Sequence, residues 1–143
     1  MELLPVKYRT STLDDKDFIY NSWLKSHRHS EECSRMNNET YYSNHKKIIE
    51  NILKKANILI CCNPEDESQI YGYIAFEYMK EYDSFVIHYC YVKYTFRKLG
   101  LARNILNAVF PELTKDPIVC TYLGKVYDKL KEKYLLVYNP FLR

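Results

Sequence analysis

No run of apolar residues in this chain approaches the roughly 20 that a membrane-spanning helix needs. The amino-terminal residues lack the pattern of a signal peptide. The expectation is a cytoplasmic protein with no membrane partner. Paired cysteine motifs are missing too: none of Cys33, Cys61, Cys62, Cys90 and Cys120 stands in C-x-x-C spacing, and four of the five fall in apolar, strand-like runs. That argues for buried, reduced thiols rather than a disulfide framework. Cys33 lies in a polar stretch near His27 and His29, but the spacing fits no common zinc pattern, so no metal is expected. Charge of one sign is not in excess. Twenty-one Lys and Arg against 18 Asp and Glu leave a net +3, which admits an anionic ligand without announcing nucleic acid. Internal repeats and low-complexity segments are also absent.

What is present suits one domain. The 143 residues are 47% hydrophobic and include 15 tyrosines, enough to bury a real core and to argue against disorder. The most organised stretch runs from Phe85 to Val109. Its first part, Phe85 to Val92, is β-branched and aromatic, as a strand requires. Its second part changes period, with Leu101, Ala102, Ile105, Leu106 and Val109 on one helical face. Between them lies a turn holding Gly100 and flanked by Arg97, Lys98 and Arg103. A strand feeding a basic turn and then a helix presents unpaired N–H groups at the positive end of the helix dipole, an anion site.

The chain before this stretch opens with a short strand, Pro5 to Thr10. Ser11 to Asp15 then reads as a helix start, with hydroxyls ahead of acids. Phe18, Ile19 and Trp23 or Leu24 form its buried face, and it ends near His27. Arg28 to Thr40 is polar and aperiodic, a loop. Tyr41, Tyr42, His45, Ile48, Ile49, Ile52, Leu53 and Ala56 recur at helical spacing. Ile58 to Cys62 is a buried strand, Asn63 to Glu67 its turn, and Gln69 to Met79 a further strand that leads by a hairpin over Lys80 to Ser84 into the central stretch. Later come a strand at Ile118 to Tyr122, a basic amphipathic helix from Gly124 to Lys133 with Val126, Leu130 and Tyr134 inward, and a last strand at Tyr134 to Tyr138. The fold class is α/β (α+β): a mixed central sheet of about six strands with helices on both faces.

The spacing Arg97-x-x-Gly100-x-Ala102, preceded by Val92 and followed by an apolar helix, resembles the pyrophosphate loop of the GNAT acyltransferases. Phe96 is the aromatic often found before that arginine, and Tyr71-Gly72-Tyr73-Ile74 resembles the family's glycine-containing third strand. The resemblance covers roughly residues 6 to 110, with only the loop specific. It implies a GNAT-like fold over residues 1–143 and acetyl-CoA as co-substrate. It also implies a cofactor site of Tyr91, Val92, Arg97, Lys98, Leu99, Gly100, Leu101, Ala102 and Arg103. The activity implied is acetyl transfer to an amine of a small-molecule or protein acceptor. Beyond Pro111 the likeness weakens, and no residues remain for a seventh strand. The acceptor side is then either incomplete or finished by a second copy in a homodimer.

Acyl transfer to an amine needs a base, a polarised carbonyl and a proton for the departing thiolate. Many GNAT members carry a glutamate on the fourth strand as base, where this chain has Val86. His88 shares that strand face by alternation and titrates in a suitable range, although a structural histidine in a tyrosine-rich sheet is the favoured reading. The family's tyrosine acid would fall at Lys129; Tyr127 and Tyr138 are the nearby candidates. Two other classes stay open. One is a non-catalytic module binding CoA or a protein partner. The other is an acyltransferase toxin acting on aminoacyl-tRNA, with Lys125, Lys129, Lys131 and Lys133 as a basic face that Asp128 and Glu132 dilute.

Overall fold

A computed structural model describes residues 4–110, 116–131 and 134–143. Six strands form one sheet in chain order: β1 (Lys7–Thr10), β2 (Asn57–Asn63), β3 (Asp66–Met79), β4 (Ser84–Val92), β5 (Ile118–Cys120) and β6 (Leu136–Tyr138). The first four run antiparallel; β4 with β5 and β5 with β6 are parallel. Helices α1 (Lys16–His27) and α2 (Asn38–Lys55) cover one face, and α3 (Leu101–Val109) and α4 (Lys125–Leu130) cover the other. The expected mixed sheet with helices on both faces is thus the observed one. Among the described residues no helix is long and apolar enough to cross a membrane.

Each face owes its cover to side-chain periodicity. Ile19, Trp23 and Leu24 of α1 meet Tyr41, Ile49 and Ile52 of α2 over Ile58, Ile60 and Tyr73 of the sheet. On the opposite face Leu101, Ile105 and Leu106 of α3 pack on Tyr71, Ile74 and Ile87, with Leu130 and Tyr134 alongside. Helix α2 starts one turn earlier than its apolar pattern suggests, because Asn37 caps it by accepting from the Thr40 N–H at 2.8 Å. The helix expected to begin at Ser11 to Asp15 first makes a 3-10 turn, Leu13–Asp15. Asp15 accepts from the Thr12 amide and from both terminal nitrogens of Arg9, which ties helix entry to β1.

Several boundaries differ from the sequence pattern. The β2–β3 turn is only Pro64 and Glu65, so Asp66 and Glu67 belong to β3. Within the polar 28–40 stretch, Glu31–Cys33 forms a 3-10 turn that buries Cys33 among apolar side chains. Strand β5 stops at Cys120, two residues short of Tyr122, and the hydroxyls of Thr121 and Tyr122 lie against His88 and His45. β6 starts at Leu136, since Leu135 is held at φ +50° and cannot continue a strand. Helix α4 ends at Leu130; the expectations for Glu132 and Lys133 lie outside the described residues.

Glycine is required at one sheet position. A Cβ on Gly72 would collide with the Tyr91 carbonyl oxygen and crowd Ile105 and Val92. The third-strand glycine therefore lets β3 and α3 close on β4, directly beneath the start of the basic turn.

Candidate active site

Strands β4 and β5 form a fork. They pair only through Val86 with Val119 and Ile87 with Cys120, followed by one bond from the Thr121 N–H to the Ile87 carbonyl at 3.1 Å. Among the described residues no pairing of β4 with β5 continues toward Val92. The opening starts at a bulge: Phe76 faces Ile87 and Ala75 faces Tyr89, which leaves His88 as the extra residue of β4.

The far end of β4 leads into the basic turn. A 3-10 turn over Tyr94–Phe96 is followed by Lys98 at φ +70° and Gly100 at φ +75°, both left-handed. Phe96 packs on Tyr71 and anchors the turn from below. Arg97 donates from Nε to the Val92 carbonyl at 2.9 Å, and its guanidinium lies 5.6 Å from the Tyr94 ring centroid. The arginine therefore closes the turn as well as adding charge. The first bond of α3 runs from the Asn104 N–H to the Gly100 carbonyl, so the N–H groups of Leu101, Ala102 and Arg103 have no intrahelical acceptor. Gly100 faces open space, with nothing within 4 Å of where a Cβ would stand. Lys98, Leu99 and Arg103 are exposed, whereas Leu101 is buried under the helix. An anion reaching this turn would meet backbone N–H groups, a helix dipole and basic side chains together.

Two of the expected cofactor residues pack their side chains against the protein interior. Tyr91 turns its ring toward α1, against Phe18 and Tyr73, and Val92 is buried opposite Gly72.

His88 is 1% exposed, and both ring nitrogens are engaged. Nε2 lies 2.6 Å from Glu77 Oε2, and Nδ1 lies 2.9 Å from Thr121 Oγ1. Burial holds the imidazole pKa below its usual value, against the pull of the Glu77 carboxylate. Glu77 is cross-strand from Val86 and lies 3.9 Å from Lys55 Nζ. It also lines an open cavity of about 420 Å³ together with Lys55, Tyr78, Glu81 and Leu142. Glu77 was missed in the sequence because it sits on β3, eleven residues before His88, and only strand pairing joins them.

The structure does not bring Tyr127 to this point. Its hydroxyl donates weakly to the Leu136 carbonyl on the α3–α4 face, while His88 and Glu77 stand on the other. Tyr138 is the cross-strand partner of Cys120; its phenol pKa is raised, chiefly by burial and then by the Glu32 carboxylate.

A second polar network, also unread in the sequence, fills the α1–α2 side beside the fork. His45 Nε2 lies 2.7 Å from the Tyr122 hydroxyl, and the His27 and His45 rings are 4.5 Å apart. His27 Nε2 is 3.3 Å from Glu32, which also accepts two bonds from Arg143. The Arg143 guanidinium stacks over Tyr122. Contact with His27, and then with Arg143, brings the Glu32 carboxyl down to about 2; burial lowers His45 to about 4.

Known structures share this architecture. The chain carries the GNAT acetyltransferase fold. A possible acetyltransferase from Clostridium difficile matches with a TM-score of 0.58 at 16% identity, over 96% of this chain and 92% of that one. A GNAT-family acetyltransferase from Staphylococcus aureus matches at 0.52 and 14% identity, over 75% of this chain and 64% of that one. A GNAT-family N-acetyltransferase from Escherichia coli, solved in complex with CoA, matches at 0.52 and 19% identity, over 78% of this chain and 57% of that one. No protein-family model and no curated protein sequence matches the chain.

Proposed function

We propose that this chain binds a coenzyme A thioester and transfers its acyl group, an acetyl, to a primary amine. The observation that carries the reading is the alignment of two features. A fork opens between β4 and β5 at Thr121, and the same strand β4 ends in a basic turn with unpaired helix N–H groups. The turn suits a pyrophosphate, and the fork gives a linear thiol arm somewhere to lie. The CoA complex of the similar E. coli enzyme supports the same ligand. The acceptor is a small molecule or a protein amine.

Calorimetric titration with acetyl-CoA tests the binding step. Saturable binding is expected, weakened by Arg97→Ala. No heat of binding at millimolar acetyl-CoA defeats the reading. Val86 favours a second reading: it is aliphatic and fully buried where the family's glutamate is expected, which suits a module that holds CoA without turnover. Release of CoA thiol in the presence of an amine separates the two.

A further inference from the structure

The transfer proposed above requires that the acceptor lose a proton, and no carboxylate stands at Val86 to take it. We propose that Thr121, His88 and Glu77 form the proton path of this site, leading from the apex of the β4–β5 fork to the cavity beside Glu77. The inference rests on the acyl-transfer reading, but its residues are fixed by contacts independent of any cofactor.

Three observations carry it. Thr121 is where β4–β5 pairing ends, so the residue stands at the apex of the fork, with its hydroxyl buried against His88. His88 is the bulged residue, which turns its ring onto the Glu77 face and into contact with Thr121. Glu77 is 14% exposed and lines the 420 Å³ cavity, giving the chain an outlet to solvent. The hydrogen bonds also have a direction. A carboxylate can only accept, so the neutral ring carries its proton on Nε2 and leaves Nδ1 to accept from the Thr121 hydroxyl. The groups facing His88 are Glu77 from β3, Lys55 from the end of α2, and Thr121 after β5.

The step balances without an outside reagent. The amine nitrogen forms its bond to the acyl carbon as the C–S bond breaks, and the thiolate leaves with the electron pair. The nitrogen's proton goes to Thr121 Oγ1, the hydroxyl proton to His88 Nδ1, and the Nε2 proton to Glu77. Water in the cavity then accepts it, and a solvent proton returns by the same path, through Glu77 to Nε2 and from Nδ1 through Thr121 to the thiolate, which restores the ring. His88 and Glu77 are positioning residues that act through Thr121.

The test uses the full chain, acetyl-CoA, and glycinamide as probe amine, with CoA thiol release followed from pH 6 to 9. Glu77→Gln, His88→Gln and Thr121→Val are each expected to lower kcat at least about tenfold, a conservative share of the 10²–10⁴ that proton transfer contributes. KM for acetyl-CoA should hold, and Thr121→Ser, which keeps the hydroxyl, should stay within about threefold of the parent. Glu77→Gln should also shift the lower inflection of the kcat profile. Unchanged kcat in Glu77→Gln overturns the path. So does acetyl-CoA binding without release of CoA thiol in the presence of glycinamide, which leaves the cofactor reading standing. Absence of acetyl-CoA binding overturns that reading as well. Should the variants fail to fold, ¹⁵N NMR of the parent decides: a protonated Nε2 on His88 is expected, and a protonated Nδ1 refutes the path.

Discussion

Gly100 separates the backbone's part in the basic turn from the ligand's. Its φ of +75° lies in the left-handed region, which costs a residue with a Cβ about 1–2 kcal/mol. Yet a Cβ there meets nothing within 4 Å, so no clash adds to that cost. Gly100→Ala should therefore lower the melting temperature by about 2–8 °C, at 2–4 °C per kcal/mol for a chain of this size. Gly100→Glu carries the same backbone cost and also places a negative charge at the start of α3, where a pyrophosphate is proposed to lie. One pair of like charges about 5 Å apart repels by about 1 kcal/mol in water, and by about 3 at an effective dielectric of 20. That predicts acetyl-CoA binding weaker by about 5- to 150-fold, with Ala at least fivefold tighter than Glu. Circular-dichroism melts and calorimetric titrations of the three proteins measure both effects. Equal acetyl-CoA affinity in Gly100→Glu and the parent would refute the anion site. Equal melting temperatures in Gly100→Ala and the parent would refute the strain argument.

Gly72→Ala should destabilise the fold by about 1–3 kcal/mol, because its Cβ collides with the Tyr91 carbonyl; urea unfolding at the parent's stability would contradict that. Arg9→Met leaves the buried Asp15 carboxylate without its bidentate partner; a loss of about 3–5 kcal/mol is expected by chemical denaturation, and under 1 would show that water substitutes for the arginine. His45 is held down to about 4 by burial, while an unfolded histidine titrates near 6.5. The unfolded chain then binds the extra proton between those values, so this contribution is full above pH 6.5 and falls as pH drops toward 4. Of the order of 2 kcal/mol should be lost between pH 6.5 and 5. His45→Gln should flatten that window, and an unflattened profile would assign the loss elsewhere. Glu32, lowered to about 2, contributes stability that is full above pH 4.5 and is lost below it as pH falls toward 2; Glu32→Gln should flatten this lower limb.

The strand Ser84–Val92, the turn at Gly100 and helix α3 were legible in the sequence because each rests on local physics: β-branched and aromatic residues, one glycine free to take positive φ, and apolar residues at helical spacing. The proposed anion site inherits that legibility, since a helix start is made from consecutive backbone groups. The alternation of buried faces likewise carried α1, α2 and the four antiparallel strands. Tertiary structure alone decided the polar chemistry. Glu77 reaches His88 only through the β3–β4 register and a one-residue bulge, and Thr121, 33 residues later, reaches it only where a parallel strand stops pairing. Gly72 gave the same lesson in reverse. The sequence marked it as a strand glycine, but the Tyr91 carbonyl that forbids a side chain there comes from the neighbouring strand. Periodicity records which face a residue turns to, and not which residue faces it across the sheet.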